Sequence, residues 1–151
     1  AAHVAFDEAV RRRAGAESVC GLVVVSGAAL DLADQATWEA GATFDYYSER
    51  FSPSRARQRT PPAEPMLWQV EASPVTYISP DDPPVHIIYA DGEAPLFAKQ
   101  AAALDRALEA AGVRVETSVM EAFNHEVGAL YLSRPDRPPG PAAVARAKVC
   151  R

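Results

Sequence analysis

Residues 84–125 alternate between strand and helix patterns, and this alternation constrains the fold more than any other stretch. The run 85–89 is apolar, rich in β-branched residues and too short for a core helix, which predicts a strand buried on both faces. The pattern of an amphipathic helix begins at Pro95 and ends before Gly112. Its apolar positions recur every three or four residues at Phe97, Ala101, Leu104, Leu108 and Ala111. Apolar and polar residues then alternate over 113–120, so we predict a second strand, a βαβ unit and a parallel sheet.

Titratable side chains occupy both loops that follow the predicted strands. Asp91 and Glu93 follow the first strand, and Asn124, His125 and Glu126 follow the second. Because parallel strands end at the same edge of a sheet, where ligands bind in open α/β folds, we expect the acid and the histidine to meet there. An acid followed by a histidine matches the second and third members of the Ser, Asp/Glu, His triad in α/β-hydrolase order. We predict a hydrogen bond between the Glu93 carboxylate and His125, with Asp91 as the alternative acid.

Residues 73–130 resemble the C-terminal part of α/β-hydrolase-fold esterases, especially the feruloyl-esterase-like and kynurenine-formamidase-like branch. In that family a proline-flanked strand leads into the catalytic acid, a helix ending in Ala-Ala-Gly follows, and the catalytic histidine comes after the last strand. The resemblance places Glu93 on the acid and His125 on the histidine. This sequence differs from the family in having Glu where the family usually has Asp, and Asn124 where a small residue is common. A glutamate is chemically able to orient an imidazole.

The resemblance implies a serine hydrolase that cleaves carboxylic esters or related acyl bonds and needs no cofactor. The family's nucleophile lies in a G-x-S-x-G turn, and this sequence contains none. Residues 1–5 resemble the start of the helix that follows that turn, and Ser26-Gly27 resembles the end of the next strand. We therefore expect the C-terminal half of a hydrolase, inactive alone and prone to self-association without its N-terminal half. Ser26 is retained as a poor substitute nucleophile.

Composition limits the number of domains, the partners and the location that can be expected for this chain. A chain of 151 residues suffices for one domain with a sizeable core, and a net charge of −5 argues against nucleic acid as the main partner. No apolar run reaches the length of a membrane span, and no signal-peptide pattern is present. The two cysteines are too few for a disulfide framework, so free thiols and a cytoplasmic location are expected. Three scattered histidines lack metal-ligand spacing, so no metal site is expected.

The remaining segments complete the expected fold, an α/β arrangement of three layers in which helices flank a mostly parallel sheet. We expect residues 1–151 to form a single partial domain. We predict one helix over 1–13, a buried strand over 18–25 and a final short helix over 142–149. Residues 28–72 lack strong periodicity and are interpreted as an irregular excursion or partial lid. Its aromatic residues either line an aryl or acyl pocket or pack the excursion onto the core, and the second interpretation is favoured.

Two other functions remain open at this stage. One is a fragment of a prolyl-oligopeptidase-like peptidase, which shares this half of the fold. The other is a non-catalytic α/β binding module, in which Asp91 and Glu93 only stabilise the start of the following helix through its dipole. A G-x-S-x-G turn encoded just upstream of residue 1 would favour a hydrolase, whereas an unrelated start would favour the binding module.

Overall fold

A computed structural model describes residues 2–16, 18–39, 43–55, 57–121 and 123–125, together with residues 134, 136 and 141. The helix predicted over 142–149 and the side chain of Glu126 lie outside these described residues. Within them, no helix combines the length and apolar character needed to cross a bilayer.

Three parallel strands form the sheet of the described chain, in the order β1-β2-β3. They are β1 (Leu22–Val25), β2 (Val85–Ala90) and β3 (Val115–Met120). The central strand β2 is buried on both faces, with Ile87 and Ile88 at 1% and 0% exposure on opposite sides. This confirms the parallel α/β architecture, because an apolar run without alternation needs cover on both faces.

Strand β1 is shorter than predicted, because pairing starts at Leu22 rather than at residue 18. Leu22 pairs with Val85, and its N–H donates to the carbonyl of Pro84 at 3.0 Å. The two prolines before Val85 have no N–H to donate, so β2 offers β1 no earlier backbone N–H groups with which to pair.

The expectation of free thiols was wrong for Cys20, which is joined in a disulfide.

Helix α6 (Pro95–Ala110) packs on one face of the sheet and connects β2 to β3. Pro95 is at its first turn and Gly112 follows it with φ +75°, both as predicted. The helix belongs to the main apolar cluster, whose buried members are Ala5, Phe6, Leu22, Val24, Leu30, Val85, Ile87, Ala101, Leu104, Leu108 and Val113. The opposite face of the sheet carries a smaller cluster of Ile88, Ala90 and Met120.

The alternation predicted for β3 fails from Thr117 onward, because Thr117 is exposed. Val119 was expected to face the core but is 46% exposed, whereas Met120 is 6% exposed. Among the described strands β3 has a neighbour on one side only, so Val119 is left partly uncovered. Met120 packs instead with Ile88 and Ala90 on the other face of the sheet.

The N-terminal segment forms two short helices rather than the single helix predicted. These are α1 (Ala2–Phe6) and α2 (Glu8–Arg13). Asp7 separates them, because its carboxylate accepts hydrogen bonds from the N–H groups of Ala9 and Val10 at 2.9 and 3.1 Å and caps α2. Gly15 follows the end of α2 with φ +69°, a left-handed conformation that glycine adopts readily.

The excursion between β1 and β2 contains short helical elements joined by irregular segments. Its elements are α3 (Gln35–Glu39), α4 (Phe44–Phe51), α5 (Leu67–Glu71) and a 3-10 turn (Pro74–Tyr77). They enclose a separate apolar cluster formed by Leu32, Trp38, Phe44, Tyr47 and Trp68. These aromatic side chains therefore pack mainly against one another in a cluster of their own, whereas the favoured interpretation had placed them against the core of the sheet.

Gln100 of α6 connects this excursion to the βαβ unit through side-chain hydrogen bonds. Its side-chain oxygen accepts from the N–H groups of Leu30 and Asp31 at 2.6 and 2.8 Å. Its amide donates to the Asp31 carbonyl at 3.0 Å and to the Thr37 hydroxyl at 2.5 Å. All four hydrogen-bonding positions of a buried amide are thus satisfied, which offsets the cost of burying it. The sequence pattern gave no sign of this role, because Gln100 falls beside apolar positions of the helix.

Candidate active site

The candidate site lies beyond the ends of β2 and β3, where the acidic loop meets the histidine loop. Glu93 lies in the acidic loop, and its side chain is 1% exposed. One carboxylate oxygen, Oε2, accepts a hydrogen bond from the N–H of Ala90 at 2.9 Å. A buried carboxylate needs hydrogen-bond donors, and this contact fixes the orientation of the group.

The second carboxylate oxygen of Glu93, Oε1, lies 2.6 Å from Nδ1 of His125. The predicted juxtaposition of these two side chains is therefore present. With Nδ1 donating its proton to the carboxylate, Nε2 of the imidazole carries a lone pair and can accept a proton. The His125 side chain is 57% exposed, so this nitrogen is accessible to a bound molecule.

Asp91, the alternative acid, binds the backbone of the histidine loop instead of the imidazole. Its carboxylate oxygen Oδ1 accepts from the N–H of Phe123 at 3.3 Å, and its own N–H donates to the carbonyl of Met120 at 3.2 Å. The arrangement therefore favours Glu93 as the partner of the histidine, and Asp91 serves to join the two loops.

Gly92 also connects the acidic loop to the histidine loop through its backbone. Its N–H donates to the carbonyl of Phe123 at 3.0 Å, and a Cβ atom at this position would lie 2.6 Å from the same carbonyl oxygen. Any larger residue would push the loops apart, so the close approach requires glycine. The Asp-Gly-Glu order in the sequence indicates a turn, although it does not reveal which backbone the turn approaches.

An open depression of about 430 Å³ surrounds the imidazole. It is lined by Gly92, Glu93, Ala94, Phe97, Asn124 and His125. The Phe97 ring stacks on the His125 ring with 4.8 Å between centroids and 29° between planes. The helical pattern had assigned Phe97 to the core, and its position beside the histidine could be recognised only from the structure.

Ser26 and the other two histidines lie elsewhere. Ser26 directly follows β1 and has φ +48°, a strained conformation for serine, and its N–H donates to the carbonyl of Ile88 at 2.8 Å. It is not among the described residues that line the depression. His3 contacts the carbonyl of Ala72, and His86 is buried in β2 with Nε2 2.9 Å from the hydroxyl of Ser118.

No family model matches the chain, and no curated protein sequence matches it. Solved structures do match. A truncated carbohydrate esterase from gut microbiota aligns with a TM-score of 0.62 at 19% identity, over 89% of this chain and 44% of its own. A hyperthermophilic esterase from the archaeon Pyrobaculum calidifontis aligns with a TM-score of 0.57 at 20% identity, over 99% of this chain and 48% of its own. Carboxyl esterase 2 from the fungus Tuber melanosporum gives a TM-score of 0.57 at 19% identity, over 98% and 48%.

These similarities establish the fold. The mixed helix and parallel-sheet structure matches that of α/β-hydrolase esterases, and the chain spans less than half the length of each of these three. At such low identity the match carries no residue-level assignment, so the roles of Glu93 and His125 depend on their own geometry.

Replacement of Asp91 tests whether its carboxylate connects the two loops. Asp91→Ala removes the acceptor for the Phe123 N–H and is expected to lower the free energy of unfolding by about 1 kcal/mol. Asp91→Asn retains a side-chain oxygen at that place and is expected to cost less than half as much. Urea unfolding of both variants beside the unmodified protein measures the difference. An equal loss in the two variants would contradict a role based on the acceptor oxygen.

Proposed function

We propose that this chain supplies the acid and the histidine of a serine hydrolase that cleaves carboxylic esters. The observation that carries the proposal is the 2.6 Å contact between His125 Nδ1 and Glu93 Oε1, located beyond the ends of two adjacent parallel strands. Its setting in a fold shared with solved esterases supports ester hydrolysis over the alternatives. In a binding module there would be no need to hold a buried carboxylate against an exposed imidazole.

The proposed mechanism is acyl transfer through a covalent intermediate. A serine hydroxyl attacks the ester carbonyl while His125 Nε2 takes its proton, and the resulting imidazolium is stabilised by the Glu93 carboxylate. His125 then returns the proton to the leaving alcohol as the acyl-enzyme forms. In the second half of the cycle a water molecule attacks the acyl carbonyl as it loses a proton to the same nitrogen. That proton then passes to the serine oxygen as the acid is released.

The serine is proposed to come from another segment of the fold. No G-x-S-x-G turn occurs in residues 1–151, and Ser26 does not line the depression around His125. The proposed supplier is an N-terminal half of the same fold, which would also contribute the oxyanion hole. Without that half, edge-to-edge association of this chain with itself is the expected alternative pairing.

Small carboxylic esters are the proposed substrates. The depression around His125 is open and has a volume of about 430 Å³, which suits a small aryl or acyl group. The excursion between β1 and β2 is short and packed around its own aromatic cluster, unlike the large accessory domain of an oligopeptidase. A feruloyl-esterase-like or kynurenine-formamidase-like specificity remains part of the proposal. The cytoplasmic location was expected from free thiols, and the disulfide at Cys20 removes that basis because disulfides are typical of oxidising compartments.

Reconstitution tests the proposed function. The chain is joined to the segment encoded upstream of residue 1, or mixed with it, and hydrolysis of p-nitrophenyl acetate is measured. We expect that segment to end in a G-x-S-x-G turn and to confer activity. The matched control carries Ala in place of the serine of that turn and should be inactive. Absence of activity in a folded, joined protein would refute the ester hydrolase and favour the binding module.

A further inference from the structure

We infer that Phe97 is a positioning residue for His125, an inference that rests on the proposed function. The evidence is a ring stack, with centroids 4.8 Å apart and planes inclined by 29°, in the depression that contains the imidazole. Neither the helical pattern nor the resemblance to esterases assigns Phe97 a role beyond packing.

A single hydrogen bond leaves the plane of an imidazole ring undefined. The contact with Glu93 restrains a single distance, 2.6 Å from Nδ1 to the carboxylate, whereas the imidazole turns about two side-chain torsions. His125 is 57% exposed, so packing around the side chain restrains this rotation only weakly. The face of Phe97 supplies the missing restraint, and together the two contacts determine where Nε2 points.

Both contacts come from one short segment of the chain. Glu93 and Phe97 are four residues apart, on either side of the start of α6 at Pro95. The N–H of Phe97 donates to the carbonyl of Ala94 at 3.0 Å, and the neighbouring Leu96 is 8% exposed and anchors the first turn. The segment 93–97 therefore contacts the imidazole in two ways. Glu93 binds its Nδ1 atom, and Phe97 stacks on its ring face.

The stack also has a chemical consequence for the proposed reaction. When His125 takes the serine proton it becomes an imidazolium, and a cation is attracted to the face of an aromatic ring. The contact is then stronger in the transition state than in the resting enzyme, and this difference accelerates the reaction. Loss of the ring should therefore reduce kcat rather than raise KM. A residue that merely lined the substrate pocket would change KM first.

The test uses the reconstituted enzyme with p-nitrophenyl acetate and three variants. Phe97→Leu keeps apolar volume without a ring, and we expect kcat to fall about three- to tenfold with KM unchanged. Phe97→Tyr keeps the ring and should retain most of the activity. Phe51→Leu is the matched control, because Phe51 is another partly exposed phenyl ring, stacked on Tyr47 within the excursion.

The ring protons of His125 provide a second measurement, independent of turnover. In the unmodified protein and in Phe97→Tyr they should show an upfield ring-current shift in NMR spectra, which Phe97→Leu should abolish. If Phe97→Leu kept the full kcat, or if only its KM changed, the positioning role would be refuted. Full activity in His125→Ala would instead refute the proposed function, so the two failures are distinguishable.

Discussion

Replacing His125 with Ala is expected to reduce ester hydrolysis by the reconstituted protein roughly 10⁴-fold or more. The imidazole has two tasks in the proposed reaction, since Nε2 takes the serine proton and later returns it to the leaving alcohol. Among the described residues that line the depression, the only other titratable group is Glu93, whose side chain is buried and bound to the N–H of Ala90. The measurement is turnover of p-nitrophenyl acetate at equal folded concentration.

His3→Ala is the matched control for this prediction. His3 lies on α1, with its Nε2 3.0 Å from the carbonyl of Ala72, and it takes no part in the candidate site. This variant should keep its activity. If His125→Ala remained as active as the His3 variant, the assignment of the acid and histidine and the proposed ester hydrolase would both be wrong.

Replacing Glu93 with Gln is expected to lower kcat by on the order of 10² to 10⁴. The amide oxygen can still accept from the N–H of Ala90, which turns the amide NH₂ group toward His125 Nδ1. Nδ1 must then accept a hydrogen bond instead of donating one, so the proton of the neutral imidazole moves to Nε2. In that tautomer the nitrogen that should take the serine proton is already protonated.

Asp91→Asn is the matched control, because it makes the same chemical change two residues earlier. Asp91 contacts the backbone of Phe123, so this variant should lose little activity. Nitrogen chemical shifts of His125 would report the change of tautomer directly in Glu93→Gln. A larger loss in Asp91→Asn than in Glu93→Gln would reassign the acid to Asp91.

Several features of the chain could be read from local patterns. The apolar run at 85–89, Pro95 at the start of α6 and Gly112 after its end all lie where the sequence placed them. Each depends on a local property: strand propensity, a missing N–H, or tolerance of positive φ. The meeting of Glu93 and His125 also followed from sequence, because parallel strands connected by a helix must end at the same edge.

Other boundaries depended on neighbours that no local pattern reveals. The start of β1 at Leu22 is set by the point at which its partner strand begins after Pro84. The break between α1 and α2, by contrast, has a local cause, because the Asp7 side chain accepts from backbone N–H groups two and three residues further on and interrupts the helical pattern. The exposure of Val119 follows from the position of β3 in the sheet.

The sequence by itself determined the βαβ unit and which two loops carry the candidate acid and histidine, because both depend on periodicity and chain order. Only the tertiary structure decided which acid faces the imidazole. Asp91 and Glu93 are two residues apart, and the path of the loop sends one to the backbone of Phe123 and the other to His125. Likewise, only the packing of the loops placed the Phe97 ring on His125, because a contact between residues distant in sequence requires the whole chain to be folded.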